Sequence, residues 1–260
     1  MADPMYRQIA EDLRTRIEAG ELAPGSQLPT ELELRERYNA SRNTVREAIK
    51  WLTPLGLVEV RPGQGTFVVE KTDPFITTLS GNPRTGFGGG EGTSYLSEVS
   101  DKKRTPTTSR IRVESQEAAP DIAEKLGKPP GSVIVSRHQQ RYIDGTPWSL
   151  QTSFYPMEFV ERGAVRLTRP DDIEQGTVRY LAEKLGIHQN GYRDWLAVRA
   201  PDYTEVEFFR LPPDGRTSII EIARTGFDGN GQPMRVTVTV YPADRNQFVF
   251  DFGQIPEDKT

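Results

Sequence analysis

Residues 41–52 read SRNTVREAIKWL, and the spacing inside this stretch decides the fold of the N-terminal part of the chain. Val45, Ala48, Ile49 and Leu52 recur at helical intervals and mark a buried face, which leaves Arg42, Asn43, Arg46 and Lys50 mostly off it. Ser41 is placed to cap the helix and Pro54 to end it. Upstream, Thr30 with Glu33 three residues on matches a capping box and opens a short helix carrying Leu32, Leu34 and Tyr38. Earlier still, Ile9, Leu13 and Ile17 predict a first helix that stops at Ala19-Gly20. Downstream, LVEVRPGQGTFVV predicts two short strands around the turn Pro62-Gly63-Gln64-Gly65.

Three helices and a hairpin over residues 1–70 are the layout of a winged helix-turn-helix. Chemistry explains the residue types. A helix N-terminus fits a major groove about 12 Å wide, arginine can bind guanine through two bonds, and asparagine can do the same for adenine. Ser41, Arg42, Asn43, Thr44, Arg46 and Lys50 are therefore candidate contacts to double-stranded DNA. On the hairpin, Arg61, Gly63, Gln64 and Gly65 can reach phosphate or a minor groove. A basic run on a lone helix is usually a solvated face, and the wing beside it is what favours the groove. The net charge of -4 is no obstacle, because salt screens distant charge over about 8 Å and a duplex feels the local field. Glu11, Asp12, Glu18 and Glu21 belong to the first helix and its exit, away from the cations.

Residues 71–94 are rich in Gly, Pro, Ser and Thr, too poor in apolar residues to pack by themselves, and are expected to be a flexible linker. The GFGGGEG within them is not a phosphate cradle, since Glu91 stands at the third glycine position and no strand-to-helix context surrounds it. There is no cysteine, hence no disulfide, thiol nucleophile or thiolate metal site. No long apolar run and no leader-like N-terminus occur, so the expectation is a soluble cytoplasmic protein with no membrane partner.

The remainder, 95–255, contains an internal echo. The stretch from Ala119 and the stretch from Ala200 both open with Ala-Pro-Asp and a short helix, pass a Pro-Pro turn, enter a strand, turn at Gly-x-Pro and end at Tyr-Pro. This pattern predicts two helix-plus-hairpin units joining one antiparallel sheet with helices on one side, an α+β fold. A further amphipathic helix carrying Val178, Leu181 and Leu185 lies between them. Alternation puts Arg137, Gln139 and Arg141 on one side of a strand, and Ser149, Gln151, Ser153 and Tyr155 on one side of the next. Their counterparts in the second copy are Arg235, Thr237, Thr239 and Tyr241. Such a polar row is by default a solvent face. Trp148 and Trp195 read as core or pocket wall, with Tyr192 and Trp195 placed to line an apolar part of a ligand site. His138 and His188 are isolated from any spaced carboxylates, so no metal site, catalytic residue or cofactor is expected.

YRQIAEDLRTRIEAGELAPGSQLPTELEL, SRNTVREAIKWL and GLVEVRPGQGTFV resemble the DNA-binding domain of GntR-family transcriptional regulators. The chain beyond Thr105 resembles the UTRA effector-binding domain of the HutC subfamily, a chorismate-lyase-like antiparallel sheet with helices. The resemblance implies a homodimer on a two-fold related operator, controlled by a small-molecule effector, with repression as the usual outcome. Where many members carry Arg after the residue matching Glu31, this chain has Leu32, so a phosphate contact is lost or supplied by Arg35. In similar UTRA domains an Arg-x-Arg pair and a strand hydroxyl hold an anionic group, with a Glu and a Tyr assisting. Carried over, these are Gln139, Arg141, Ser153, Glu221 and Tyr241. Because Gln139 is neutral, the effector is expected to be a carboxylate or neutral polar compound rather than a sugar phosphate, unless Arg137 compensates. Two alternatives stay open: a C-terminal domain that only dimerises, and a lyase-like enzyme fused to a reading head.

Overall fold

The computed structural model of the protein describes residues 3–69, 74–79, 92–212, 215 and 217–250. Contacts divide the chain into two compact units, Met1–Thr72 and Asp73–Thr260.

The first unit comprises α1 (Met5–Glu18), α2 (Glu31–Tyr38), α3 (Arg42–Leu52) and a hairpin of β1 (Val58–Arg61) and β2 (Gly65–Val68). The capping box forms: Thr30 Oγ1 accepts from the Glu33 amide, and the Glu33 carboxylate accepts from the Thr30 amide at 2.7 Å. Ser41 Oγ accepts from the Thr44 amide at 3.1 Å, satisfying one of the donors that open α3. Helix α3 stops at Leu52, two residues short of Pro54, which has no N–H to continue it. Ile9 and Leu13 from α1, Leu34 from α2, Val45, Ile49 and Leu52 from α3, and Val58 and Val68 from the hairpin share one core. Burial of each large side chain there contributes about 1.5 to 3 kcal/mol. Leu32 is not part of it and stands 59% exposed.

The second unit runs β3 (Phe75–Thr78), α4 (Gly92–Asp101), β4 (Pro106–Thr108), β5 (Arg112–Glu117), α5 (Pro120–Lys125), β6 (Val133–Ile143) and β7 (Thr146–Pro156). It continues with α6 (Met157–Glu161), a 3-10 turn (Val165–Thr168), α7 (Thr177–Leu185), β8 (Gln189–Arg199), α8 (Tyr203–Phe209), β9 (Ile219–Asp228), β10 (Pro233–Pro242) and β11 (Asn246–Val249). Seven strands form an antiparallel sheet in the order β4-β6-β7-β10-β9-β8, with β5 also pairing with β6. The echo in the sequence is an echo in space. Strands β7 and β10 lie side by side, and Thr152 pairs with Val238, each standing five residues beyond the proline of its own Gly-x-Pro turn. An approximate two-fold axis therefore passes through that pair.

Helical cover lies on both faces, not one. Ile122, Ala123 and Leu126 around α5 pack on Ile134 and Val236, and Phe209 of α8 packs on Ile219 and Val240. On the other face Phe159 of α6 and Tyr180 and Leu181 of α7 pack on Val135 and Tyr155. Alternation along β6 sends Ile134 and Val135 to opposite faces, and both are wholly buried.

The linker expectation fails from Gly92, where α4 begins, and over residues 75–78. They form β3, which pairs in parallel with β11, and Phe75 meets Trp148 edge-on at 6.2 Å between ring centroids. The stretch has too few apolar residues to pack by itself, and it finds a core in the sheet's own end, where Tyr95, Val99 and Ile143 complete the cluster. Residues 71–73 and 80–91 of the same expectation lie outside the described residues, as do residue 70, the C-terminal limit of the first domain, and that of the 95–255 domain.

Candidate nucleic-acid interface and ligand cavity

Arg42 and Arg46 stand one turn apart on α3, so their side chains project from the same face of the helix. Both reach back to one carboxylate at the start of α2: Arg42 Nε donates to Glu31 Oε2 at 2.9 Å and Arg46 Nε to Glu31 Oε1 at 2.8 Å. The two arginine side chains nevertheless stay 62% and 54% exposed. A cation in the first turn of a helix opposes the helix dipole at a cost of about 0.3 to 1 kcal/mol. Glu31 offsets that cost and fixes the pair, while the arginines, through their hydrogen bonds, hold its carboxyl below the ordinary carboxylate range. Ser41, Asn43, Lys50 and Arg35 are exposed, and Thr44 is half-buried with its Oγ1 on Ser41 Oγ.

The wing is fastened in a way the sequence did not suggest. Gln27 Nε2 donates to the Gln64 carbonyl at 2.8 Å. Gly65 has φ +119°, and a Cβ there would lie 2.4 Å from Gln27 Nε2. The glycine thus accommodates the protein's own amide, whereas at Gly63, with φ +72°, nothing lies within 4 Å of such a Cβ. Arg61 stacks over Phe67 at 4.2 Å from the ring centroid and bonds to Glu59. Its head is held flat along the wing.

In the second unit the polar row on the sheet is not a solvent face. It floors a cavity of about 540 Å³ whose lining includes Arg137, Gln139, Arg141 and Ser153 together with Tyr95 and Arg235. Arg141 is 1% exposed and lies over the Tyr95 ring at 4.7 Å. Burial, ahead of any charge, pushes the Tyr95 phenol up, so it presents a neutral wall. Gln139 and Gln151 face each other across β6 and β7.

Arg137 has another occupation. Its Nη1 donates to the carbonyls of Arg166, Leu167 and Arg169 at 3.2, 2.8 and 2.8 Å, and its Nη2 to that of Asp171 at 2.7 Å. It is a clamp on the segment leading into residues 172–179, which line the cavity together with Arg137 itself. Glu221 and Tyr241 do not line the cavity. Glu221 pairs in register with Val240, whose side chain packs on Phe209, so it faces the α8 side and bonds Arg199 at 2.8 Å. Tyr241 is on the correct face but packs in a core with Leu79, Ile222 and Phe248. Tyr192 and Trp195 are likewise outside: the Tyr192 hydroxyl donates to the Leu79 carbonyl, and Trp195 is 59% exposed on the outermost strand.

Sequence reasoning missed Gln189 and gave Arg235 no role. Arg235, 4% exposed, donates from Nε to Gln189 Oε1 at 2.9 Å and from Nη1 to Thr237 Oγ1 at 2.8 Å. Thr237 Oγ1 meets Ser153 Oγ at 3.1 Å. Alternation did place Arg235 on the row, but Gln189 arrives from β8, two strands away in the sheet order. Among the described residues no cluster of three or more His, Asp or Glu side chains could hold a metal ion, and no helix is long and apolar enough to cross a membrane.

Two family models match the chain. Residues 5–68 match the gntR family of bacterial regulatory proteins, and residues 101–247, more than half of the chain, match the UTRA domain. Among curated relatives, the HTH-type transcriptional repressor NagR of Bacillus subtilis is 31% identical over 247 residues, covering 95% of this chain and 93% of its own. The mannosyl-D-glycerate transport/metabolism system repressor MngR of Escherichia coli is 30% identical over 155 residues, covering 59% of each. A crystal structure of a GntR-family transcriptional regulator superposes with a TM-score of 0.72 at 28% identity, covering 97% of this chain and 99% of that one. That of PhnF from Mycobacterium smegmatis gives 0.55 at 22%, covering 94% and 99%, a likeness of fold.

Proposed function

Because the chain belongs to the GntR family of bacterial regulators and carries a UTRA domain, we propose that it is a homodimeric repressor whose α3 reads an operator and whose cavity takes the releasing effector. It is a DNA-binding transcriptional regulator under effector control, not an enzyme. The relatives NagR and MngR are named as repressors, which supports that sign of regulation here.

One observation carries the reading. Two arginine side chains, more than half exposed, are aligned by one carboxylate on one face of a helix, beside a glycine-tipped wing. Arg42, Asn43 and Arg46 then meet base edges, Ser41, Thr44, Lys50 and Arg35 meet phosphate, and the wing from Arg61 to Gly65 follows the backbone of the duplex. The DNA displaces Glu31 from the arginines, so a group already oriented exchanges one anion for another. Two heads address half-sites about 34 Å apart, and an effector that prefers another dimer arrangement breaks the match. The effector is polar and bears an anionic group held by Arg141, with Gln139 and Ser153 beside it. Such a protein works in the cytoplasm, where the genome is.

Genomic fragments selected on the immobilised full-length protein should converge on a two-fold related sequence, with affinity that falls steeply as salt rises. Selection that yields no common sequence would overturn the reading.

A further inference from the structure

The cavity has an end that the family resemblance does not describe. Gln189 is 7% exposed, and its Oε1 accepts from Arg235 Nε, which fixes the amide orientation because the reverse would face one N–H with another. The remaining group, Nε2, is buried and has no hydrogen-bond partner among the described residues, although it sits in the cavity wall. A buried donor left unused is rare and calls for an acceptor. Room for the Gln189–Arg235 pair itself is made by Gly226, where a Cβ would lie 2.6 Å from Gln189 Oε1 and 3.3 Å from Arg235 Cγ.

This end is remote from Arg141. Arg141 pairs with Ser149 on β7, while Arg235 adjoins Val236, the partner of Phe154. The two arginines thus approach the floor from backbone positions roughly 15 to 20 Å apart along β7. Between them lie Gln151, whose Oε1 is also buried and unpartnered among the described residues, and the hydroxyls of Ser153 and Thr237. Asp172 and Glu174 line the cavity as well. They disfavour an anion in front of them and suit a hydroxyl or amine of the ligand.

We propose that Gln189 and Arg235 form a second anchoring point of the cavity, and that it selects an effector with two acidic ends, one carboxylate on Arg141 and the other on Gln189 and Arg235. The proposal rests on the effector reading above and adds the ligand class. Two anchors on one molecule make the second contact intramolecular, so a diacid of matching length outbinds its monoacid although each single contact is the same.

The test uses the full-length protein and three matched pairs: succinate with butyrate, adipate with hexanoate, suberate with octanoate, plus glucose 6-phosphate as the phosphoryl arm. Binding is read by calorimetry and by thermal shift. One diacid should bind at least about tenfold more tightly than its monoacid, with an optimum in length across the series. Gln189→Leu should remove about tenfold from that diacid and change the monoacid less than about twofold. Gly226→Ala, which drives the amide off Arg235, should act in the same direction, and the unliganded melting temperature of each variant shows whether it is folded. Monoacids equal to diacids at every length, no response to any diacid, or preference for glucose 6-phosphate unchanged in Gln189→Leu would each overturn the proposal. Operator binding measured on the same samples separates the two readings. A protein that finds its operator and binds a ligand indifferent to Gln189 contradicts only this inference, whereas one that finds no operator contradicts the regulator.

Discussion

The two units of this protein spend arginine in opposite ways. In the head, Arg42 and Arg46 keep 62% and 54% of their side chains in solvent and share a single carboxylate. In the body, Arg137, Arg141, Arg224 and Arg235 are 6%, 1%, 2% and 4% exposed. Arg224 is bound through two 2.7 Å bonds to Asp194 and stacks over Tyr192 at 4.0 Å. An exposed guanidinium gains little from its surface ion pair, about 0 to 1 kcal/mol, so it can be surrendered to a phosphate or a base. A buried one has been taken out of water and must be satisfied where it lies, which makes it a structural clamp or a fixed part of a ligand site. On the function proposed above, exposure separates a group that recognises a large polyanion from one that encloses a small molecule.

The sharpest way to break this contrast is at Arg137. Replacing it with Met removes bonds to four carbonyls and should destabilise the second unit by about 3 kcal/mol or more. Thermal unfolding would read this as a fall of roughly 6 to 12 °C. An unchanged melting temperature, with effector response lost, would make Arg137 a ligand residue after all. Next in size, Arg42→Ala and Arg46→Ala should each weaken operator binding by about 1 to 3 kcal/mol, with a change in stability of no more than about 1 kcal/mol. Equal losses on a scrambled fragment would reassign the two from base reading to phosphate contact.

Smaller effects sharpen the account of the head. Gly65→Ala forces a side chain into a left-handed backbone and onto Gln27, which should cost about 1 to 2 kcal/mol and loosen the wing. Chemical denaturation of the variant gives the number. The least of them is a pH dependence. Glu31 has its folded pKa depressed by Arg46 and Arg42, so its contribution is complete above the ordinary value of 4.5 and is lost as pH falls through the lower folded value. The stability difference between wild type and Glu31→Gln should be flat from neutral pH to about 5 and shrink below it. A difference that grows on acidification would show that the arginines do not hold this carboxylate.

What could be read from the sequence was local or periodic. The caps at Thr30 and Ser41, the stop before Pro54 and the hairpin at Pro62–Gly65 depend on residues within a turn of one another. The repeat around Gly145 and Gly231 preserved its spacing, so the side-by-side pairing of β7 and β10 was implicit in it. The rest depended on partners far along the chain. Phe75 looks like a lone apolar residue in a polar stretch until Trp148 is beside it. Arg137 and Arg141 share a face and a residue type, and only the 166–171 segment shows that Arg137 is a clamp. Glu221 was assigned by likeness of pattern, and a strand's two-residue period sends it to the other side of the sheet. Gln189 carries no signal in the sequence, because an amide becomes informative only when burial leaves one of its atoms without a partner.

The most direct measurement is the affinity of the full-length protein for its selected operator and for a scrambled fragment of equal length, in wild type and in the Arg42→Ala, Arg46→Ala double variant, at fixed salt. The wild type should prefer the operator by about a thousandfold or more, and the double variant should bind both fragments at the level of the scrambled one. Operator preference that survives loss of both arginines would contradict the claim that the exposed pair on α3 reads DNA.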